Sequence, residues 1–265
     1  MYTEVTTAIL GGGLSGITLA RILHGRGEDI FVLEAEQAIG GLCRSRNDAG
    51  FCFDTGGSHI IFSRDREVLD FMLSVLGENR DERVRNTRIF YKDRYVKYPF
   101  ENGLSDLPKE DRYFCLSEFI KTLIAAEKGE LPPIVTFADW ITSTFGKGIA
   151  DCYLLPYNHK IWNFPPEQMS PHWVEGRVPR PPVDDIIKSA VGIDTEGYTH
   201  QAVFSYPVEG GIEALVQALA EPVRDLITCD FRVRSVRKTG DAWEIGDGTR
   251  TVKADRVICT IPIQN

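Results

Sequence analysis

The sequence predicts a mixed α/β fold: a Rossmann-like sheet interrupted by a mainly helical insertion. Three observations predict it. The chain opens with a strand, a glycine turn, a helix, a second strand and an acid, within one βαβ-sized unit. From residue 63 to about 200, apolar residues fall at helical spacing. Sheet-type sequence then returns and runs to Pro262. Residues 1–62 plus 201–265 are therefore expected to form one discontinuous domain, and residues 63–200 a second.

The opening unit runs Thr6-Thr7-Ala8-Ile9-Leu10, then Gly11-Gly12-Gly13-Leu14-Ser15-Gly16, then the helical Ile17 to Leu23. The apolar run Ile30-Phe31-Val32-Leu33 ends on Glu34, followed by Ala35. Gly11 permits a tight turn, Gly13 lets the backbone approach a pyrophosphate, and Gly16 lets the helix pack close to the strand. Phosphates would sit on the free N–H groups at the helix start, where the dipole favours negative charge. Glu34 would accept hydrogen bonds from a ribose diol. The pattern predicts a bound dinucleotide.

A second glycine turn follows at Gly40-Gly41-Leu42-Cys43-Arg44-Ser45. It reads either as a further approach to phosphate or as a surface turn. Gly50 to Phe62 alternates and then breaks at Gly56-Gly57-Ser58-His59, which predicts a strand leading into a close backbone approach.

In the middle segment, Asp65 to Leu76 has helical spacing and stops at Gly77. The charged stretch Glu78 to Arg88 is expected to be a loop. Arg88 to Phe100 reads as a hairpin around Lys92-Asp93-Arg94. Cys115 to Lys128 is an amphipathic helix. Thr136 and Asp139 form a box-like cap for a helix presenting Phe137, Trp140, Ile141 and Phe145, which Gly146 and Gly148 are expected to end. Ser170 and Pro171 make an N-cap and N1 pair for a short helix holding His172, Trp173 and Arg177.

Beyond this segment, Ala202 to Pro207 is strand-like, Gly210-Gly211 precede a helix through Leu219, and Phe231 to Val236 alternates as a strand with one buried face. Ala242 to Val252 suggests a hairpin turning at Gly246-Asp247-Gly248. Arg256 to Pro262 is a buried strand entering a proline turn.

Composition narrows the function classes. The 265 residues are 43% hydrophobic, enough for a substantial core. No apolar run approaches the roughly 20 residues of a membrane span. The net charge of −8 argues against a broad nucleic-acid surface. The six cysteines form no C-x-x-C and read as reduced, mostly packed thiols. There is no metal-ligand spacing. No basic-then-apolar leader is present at the N-terminus, so a cytoplasmic location is the default expectation.

The order G-G-G-x-S-G, V-L-E-A, G-G-x-x-R-S and F-D-x-G-G-x-H resembles the amine oxidase superfamily of flavoproteins. The resemblance implies a glutathione-reductase-like, amine oxidase type of FAD-binding domain, with FAD rather than NAD as the cofactor. It implies that Gly11, Gly13, Leu14, Ser15, Gly16, Glu34 and Ala35 meet the adenosine diphosphate half. Gly40, Gly41, Leu42, Arg44 and Ser45 would lie along the pyrophosphate, and Gly56, Gly57, Ser58 and His59 beside the flavin ring. Val233 would face the adenine, or stand as a plain core valine.

Three stretches of the middle segment mix aromatics with hydrogen-bonding side chains: Tyr98 to Asn102, Pro156 to Trp162, and Trp173 to Val178. On physics alone they read as a nucleotide or sugar pocket, or as ordinary core with a surface arginine. They also resemble the Y-P-F-Q-N, P-Y-N-x-K-x-W and W-x-x-x-R-V stretches of eukaryotic-type UDP-galactopyranose mutases. That resemblance implies a small-molecule nucleotide-sugar substrate, with Tyr98, Asn102, Asn158, Trp162 and Arg177 as substrate-binding residues. His59 and Arg177 would stand at the reacting centre. Glu101 occupies the position of the family's Gln, and a carboxylate beside a diphosphate would repel it. The implied reaction is a pyranose-to-furanose isomerisation in which reduced FAD acts as the nucleophile.

Two other classes stay open: an FAD-dependent oxidase or desaturase, and a flavin-binding module without catalysis. Members of the superfamily usually carry a further C-terminal stretch, which a chain ending at Asn265 is expected to lack, with weak FAD retention as the consequence.

Overall fold

The computed structural model describes residues 2–57, 59–174, 177–178, 180–195 and 203–264. Strand β1 (Tyr2–Leu10) is followed by α1 (Leu14–Gly25), β2 (Ile30–Leu33), β3 (Ser45–Asp48), β4 (Phe51–Asp54), α2 (Arg66–Leu76) and β5 (Asp81–Val84). Then come β6 (Arg88–Tyr91), β7 (Arg94–Lys97), α3 (Lys109–Glu127), α4 (Phe137–Ile149), α5 (Leu155–Trp162) and α6 (Val183–Ala190). The chain continues through β8 (Val203–Tyr206), α7 (Glu213–Ala220), β9 (Ile227–Thr228), β10 (Ser235–Thr239), β11 (Ala242–Gly246) and β12 (Thr251–Cys259). It divides into two units, Met1–Val84 with Val203–Asn265, and Arg85–Ala202.

The first unit is built on a six-stranded sheet in the order β10-β11-β12-β1-β2-β9. From β12 to β9 the neighbours are parallel, and the β10–β11–β12 end is antiparallel. The sheet is covered on both faces, as parallel strands require. Ile9, Ile30 and Val32 pack with Ile17 and Ala20 of α1 and Leu215, Val216 and Leu219 of α7. Val5, Ala8, Leu10 and Leu33 pack with Phe231, Ile245 and Val252. At the end of β1, Ala8 and Leu10 thus face one core and Ile9 the other. Arg21 fastens α1 to α7 by donating to the carbonyls of Ala218, at 3.1 Å, and Leu219.

Residues 66–84, expected in the inserted segment, fall in this first unit. Helix α2 is capped by Asp65, whose carboxylate accepts from the Glu67 and Val68 amides. Leu76 is buried in the same core as Ile9 and Leu215. The charged stretch expected as a loop contains β5, which pairs antiparallel with β8 from Asp81↔Tyr206 to Val84↔Val203. Its Glu82, Arg83 and Val84 are exposed, as on an edge strand. Strand β3 was also not anticipated; it pairs with β4, which was. The strand expected from Phe231 begins only at Ser235, with β10; before it, the Arg234 amide already donates to the Gly246 carbonyl at 2.8 Å.

In the second unit the hairpin β6–β7 turns through Lys92 and Asp93, both at positive φ, as the tightest hairpin turns demand. Helix α3 begins six residues before the expected start, directly after Pro108. Helix α4 carries the expected capping box: Thr136 Oγ1 accepts from the Asp139 amide, and the Asp139 carboxylate accepts from the Thr136 amide. Gly146 does not end α4. Its φ of 76° breaks the helix locally, which then resumes, widens into a π-helical turn over Ala150–Leu154 and runs on as α5. A Cβ at Gly146 or Gly148 would meet the α3 backbone within 2.8 Å, so these glycines serve helix packing. The helix expected around His172 is one short 3₁₀ turn, His172–Val174, and Arg177 lies beyond it. The core of this unit gathers Phe100, Leu104, Phe119, Phe137, Ile141 and Phe145.

Candidate functional site

The first glycine turn is shaped by its neighbours. Gly11 has φ 103°, closed to an ordinary side chain. A Cβ on Gly16 would lie 1.9 Å from the Gly11 carbonyl oxygen and 2.9 Å from Thr260 Oγ1. Thr260 itself donates to the Leu10 carbonyl at 2.9 Å, so the segment after β12 locks the turn. Gly13 differs: a Cβ there would meet nothing nearer than the Gly41 Cα at 3.9 Å. It is the N-cap of α1, no side chain caps that terminus, and the first turn holds no acid. Leu14 is half-buried and Ser15 exposed at this open helix start.

Glu34 is buried at the end of β2. Its Oε2 accepts from the Gly12 amide at 2.6 Å and its Oε1 from the Glu36 amide at 2.9 Å. Two acceptor positions of the carboxylate are left for a diol. Ala35 follows, half-buried. The segment Asp230 to Val233 runs beside this acid: the Phe231 amide donates to the Glu34 carbonyl at 2.8 Å, and Arg232 pairs with Glu36 at 2.7 Å. Val233 is half-buried and packs against the core containing Phe231. Glu36 and Arg232 were not singled out in the sequence; only the fold brings Arg232 here.

The second and third glycine stretches meet. Gly13 and Gly40 form a parallel bridge, and the Gly40 amide donates to the Gly12 carbonyl at 2.9 Å. A Cβ on Gly56 would lie 2.1 Å from the Leu42 carbonyl oxygen. The Thr55 amide donates to the Arg44 carbonyl at 2.8 Å. Gly41, Leu42, Gly56 and Gly57 are exposed, and Gly57 has φ 107° with open space at its Cβ position. Arg44 turns its guanidinium back onto the carbonyls of Ile39 and Ala38. Ser45 is fully engaged: its hydroxyl donates to Asp54 at 2.7 Å and its amide to Glu213 at 2.9 Å. Ser58 lies outside the described residues.

Asp54 ties these loops to α7. Burial pushes its carboxyl up, but hydrogen bonds from Tyr206, the Ile212 amide, Ser45 and the His59 amide outweigh burial and hold it below the usual carboxylate range. Burial and the bond to Asp54 push the Tyr206 phenol well above its ordinary value. His59 is half-buried, and its Nδ1 is buried with no partner among the described residues. Buried polar atoms are normally satisfied, so this nitrogen points to a missing ligand.

The residues present fit an FAD. An uncapped helix start, glycines that leave room for backbone approach, a buried acid with spare acceptors and an orphaned imidazole nitrogen are what a dinucleotide would complete. The family model for flavin containing amine oxidoreductase matches residues 14–265. The chain belongs to this family.

The flavin containing amine oxidoreductases of this family are FAD-dependent, and FAD is the cofactor here. The chain is 25% identical over 241 residues to the UDP-galactopyranose mutase of Mycoplasma pneumoniae, which covers 86% of this chain and 56% of that protein. A crystal structure of reduced UDP-galactopyranose mutase superposes with a TM-score of 0.85 at 30% identity, over 97% of this chain and 56% of that one. Human amine oxidase [flavin-containing] B is 36% identical over 124 residues, 46% of this chain and 24% of that enzyme. The chain thus spans just over half the length of the mutases it matches.

The remaining candidates lie in the second unit. Tyr98 is half-buried beneath the Arg85 guanidinium, 5.1 Å from its ring centre, and burial raises its phenol pKa. Asn102 is buried and donates to Thr195 Oγ1 at 2.5 Å. Asn158 donates to the Leu154 carbonyl at 2.8 Å and accepts from Trp162 Nε1 at 3.3 Å. Trp162 packs edge-on to Trp173 with ring centres 5.2 Å apart. Arg177 is exposed, and among the described residues its guanidinium has no acidic partner. The sequence reading missed Tyr153, which stacks on Phe100 at 4.7 Å and on Tyr157 at 4.9 Å. A Tyr four residues before Tyr157 on a helical stretch was its only signal. Among the described residues no helix is long and apolar enough to cross a membrane.

Proposed function

We propose that the chain is part of a flavoenzyme of the UDP-galactopyranose mutase type, acting on a nucleotide sugar. The observation that carries this is the aromatic and amide set on α5, Asn158 hydrogen-bonded to Trp162 and Trp162 packed on Trp173, with the exposed Arg177 following in the chain. Such a set suits a uracil or sugar ring beside a diphosphate: flat faces for stacking, an amide for hydroxyls, a guanidinium for phosphate. The Trp173 Nε1 is buried and has no partner among the described residues. The mutase relatives support the same reading.

Bound and reduced, FAD would supply the nucleophile that displaces UDP from the sugar's anomeric carbon. The chain's own residues would hold the reactants. The α1 amides would receive the cofactor's pyrophosphate, Glu34 its ribose, and His59 Nδ1 a polar atom near its ring. Arg177 would supply the positive charge that a diphosphate needs.

The second reading is an FAD-dependent amine oxidase or desaturase, favoured by the match to amine oxidase B. Turnover separates the two. With FAD supplied, UDP-galactopyranose should yield the furanose only when dithionite is present. Peroxide release from an amine without sugar turnover would replace the mutase reading by the oxidase.

A further inference from the structure

Helices α3 and α4 approach most closely where α4 has no side chain. A Cβ on Gly148 would stand 2.5 Å from the Cys115 Cα. The π-helical turn that follows widens the helix, as such turns do where side chains are re-aimed. It carries Cys152, four residues beyond Gly148 and packed in the same core as Cys115, and the two thiols act on each other's ionisation as hydrogen-bonding groups. Cys115 is fully buried and Cys152 half-buried. Tyr91 of β6 packs on the same core and favours the Cys152 thiolate. Tyr91 Oη also donates to Asp111 Oδ2 at 3.2 Å, and Lys92 Nζ donates to both Asp111 oxygens, at 2.9 and 2.7 Å. Three segments of the second unit converge on two sulfurs, and neither sulfur is used by the flavin reading.

The surroundings make the two thiols unequal. The hydrogen bond from Cys115 lowers the Cys152 thiol to about 6 against the effect of burial. Tyr91 and the Lys92 charge help; Asp111 opposes. The same hydrogen bond, together with burial, pushes Cys115 far up. Tyr91 has one proton and two acceptors: it donates to Asp111 while Cys152 is a thiol, and can turn to Cys152 when it is a thiolate. An accessible, acidic thiol beside a buried, basic one is the pairing of an attacking and a resolving cysteine.

We propose that Cys152 and Cys115 are a redox-active dithiol, converted by small-molecule disulfides into a cross-link between α3 and the turn after α4. The Cys152 thiolate attacks one sulfur of the small disulfide, breaking its S–S bond and releasing one thiolate. Cys115 then attacks Cys152 Sγ, the second small thiol leaves, and the Cys115 proton goes to it. Two protein thiols are oxidised and one small disulfide is reduced to two thiols.

The test is incubation with oxidised and reduced glutathione in graded ratios, trapping of free thiols with N-ethylmaleimide, and peptide mapping without reduction. A Cys115–Cys152 linked peptide is expected, and in Cys115→Ser the glutathione should remain on Cys152. Glutathione found only on the exposed Cys52 and Cys259 would overturn the proposal. Tyr91→Phe gives a milder second probe: Cys152 alkylation at pH 7 should slow about tenfold as its midpoint rises. An unchanged rate and midpoint would remove the Tyr91 chain from the device.

Discussion

The carboxylate of Glu34 accepts a 2.6 Å hydrogen bond from the amide of Gly12, joining the end of β2 to the glycine turn 22 residues earlier. The group expected to bind the cofactor's ribose therefore also shapes the turn that meets its phosphates. Glu34→Ala leaves the Gly12 and Glu36 amides without this acceptor, and should cost about 1–3 kcal/mol of stability even without cofactor. FAD affinity should fall further than stability explains. Urea denaturation and flavin fluorescence quenching read the two effects, and unchanged FAD affinity would leave Glu34 a purely structural role.

Gly16 and Gly13 should separate packing from binding. A methyl at Gly16 would collide with backbone, since it would lie 1.9 Å from the Gly11 oxygen. Gly16→Ala should destabilise the cofactor-free protein by roughly 2 kcal/mol or more. Gly13 has an ordinary φ of −75° and open space. Gly13→Ala should leave the melting temperature nearly unchanged and weaken FAD binding about tenfold or more, which equilibrium dialysis would measure.

Asp54 should impose an acid limit on the first unit. Its folded pKa is depressed, so its stabilisation is present above the unfolded value of about 3.9 and is lost as pH falls through the folded value. Asp54→Asn should lower stability at pH 7 by about 1–2 kcal/mol, the partial exposure of the group keeping the effect modest. Urea midpoints measured from pH 7 downward should converge for the two proteins below about pH 4. A gap that stays constant with pH would mean that ionisation of Asp54 contributes nothing.

Arg177 should matter for ligand and not for folding. It is exposed and lacks an acidic partner among the described residues. Arg177→Ala should leave thermal unfolding unchanged and weaken UDP binding by about 2 kcal/mol, roughly thirtyfold in Kd. Calorimetry with UDP checks it, and equal affinities would remove Arg177 from the site.

Several turns and caps in both units were legible because their signals are local. Gly11, Gly13 and Gly16 do their work within six residues, Thr136 and Asp139 cap each other within one turn, and Lys92-Asp93 closes a hairpin between adjacent strands. Strand β5 was not legible. Its partner β8 lies more than a hundred residues on, and an edge strand of Asp, Glu and Arg carries no apolar alternation. Ser45 read as a phosphate neighbour, yet its hydroxyl and amide are taken by Asp54 and Glu213. Gly146 read as a helix stop, because nothing in the sequence says that α3 presses against it.

The sequence by itself determined the family, the cofactor and the elements whose hydrogen bonds close within a turn or a hairpin. Only the tertiary structure decided which groups remain free for ligands. Glu34 keeps spare acceptors, His59 Nδ1 lacks a partner among the described residues, and the Ser45 hydroxyl proton is taken by Asp54. It alone joined Cys115 to Cys152, across two helices. The reason is physical: backbone preferences act over a few residues, whereas a side chain's remaining bonding capacity depends on everything the fold brings against it.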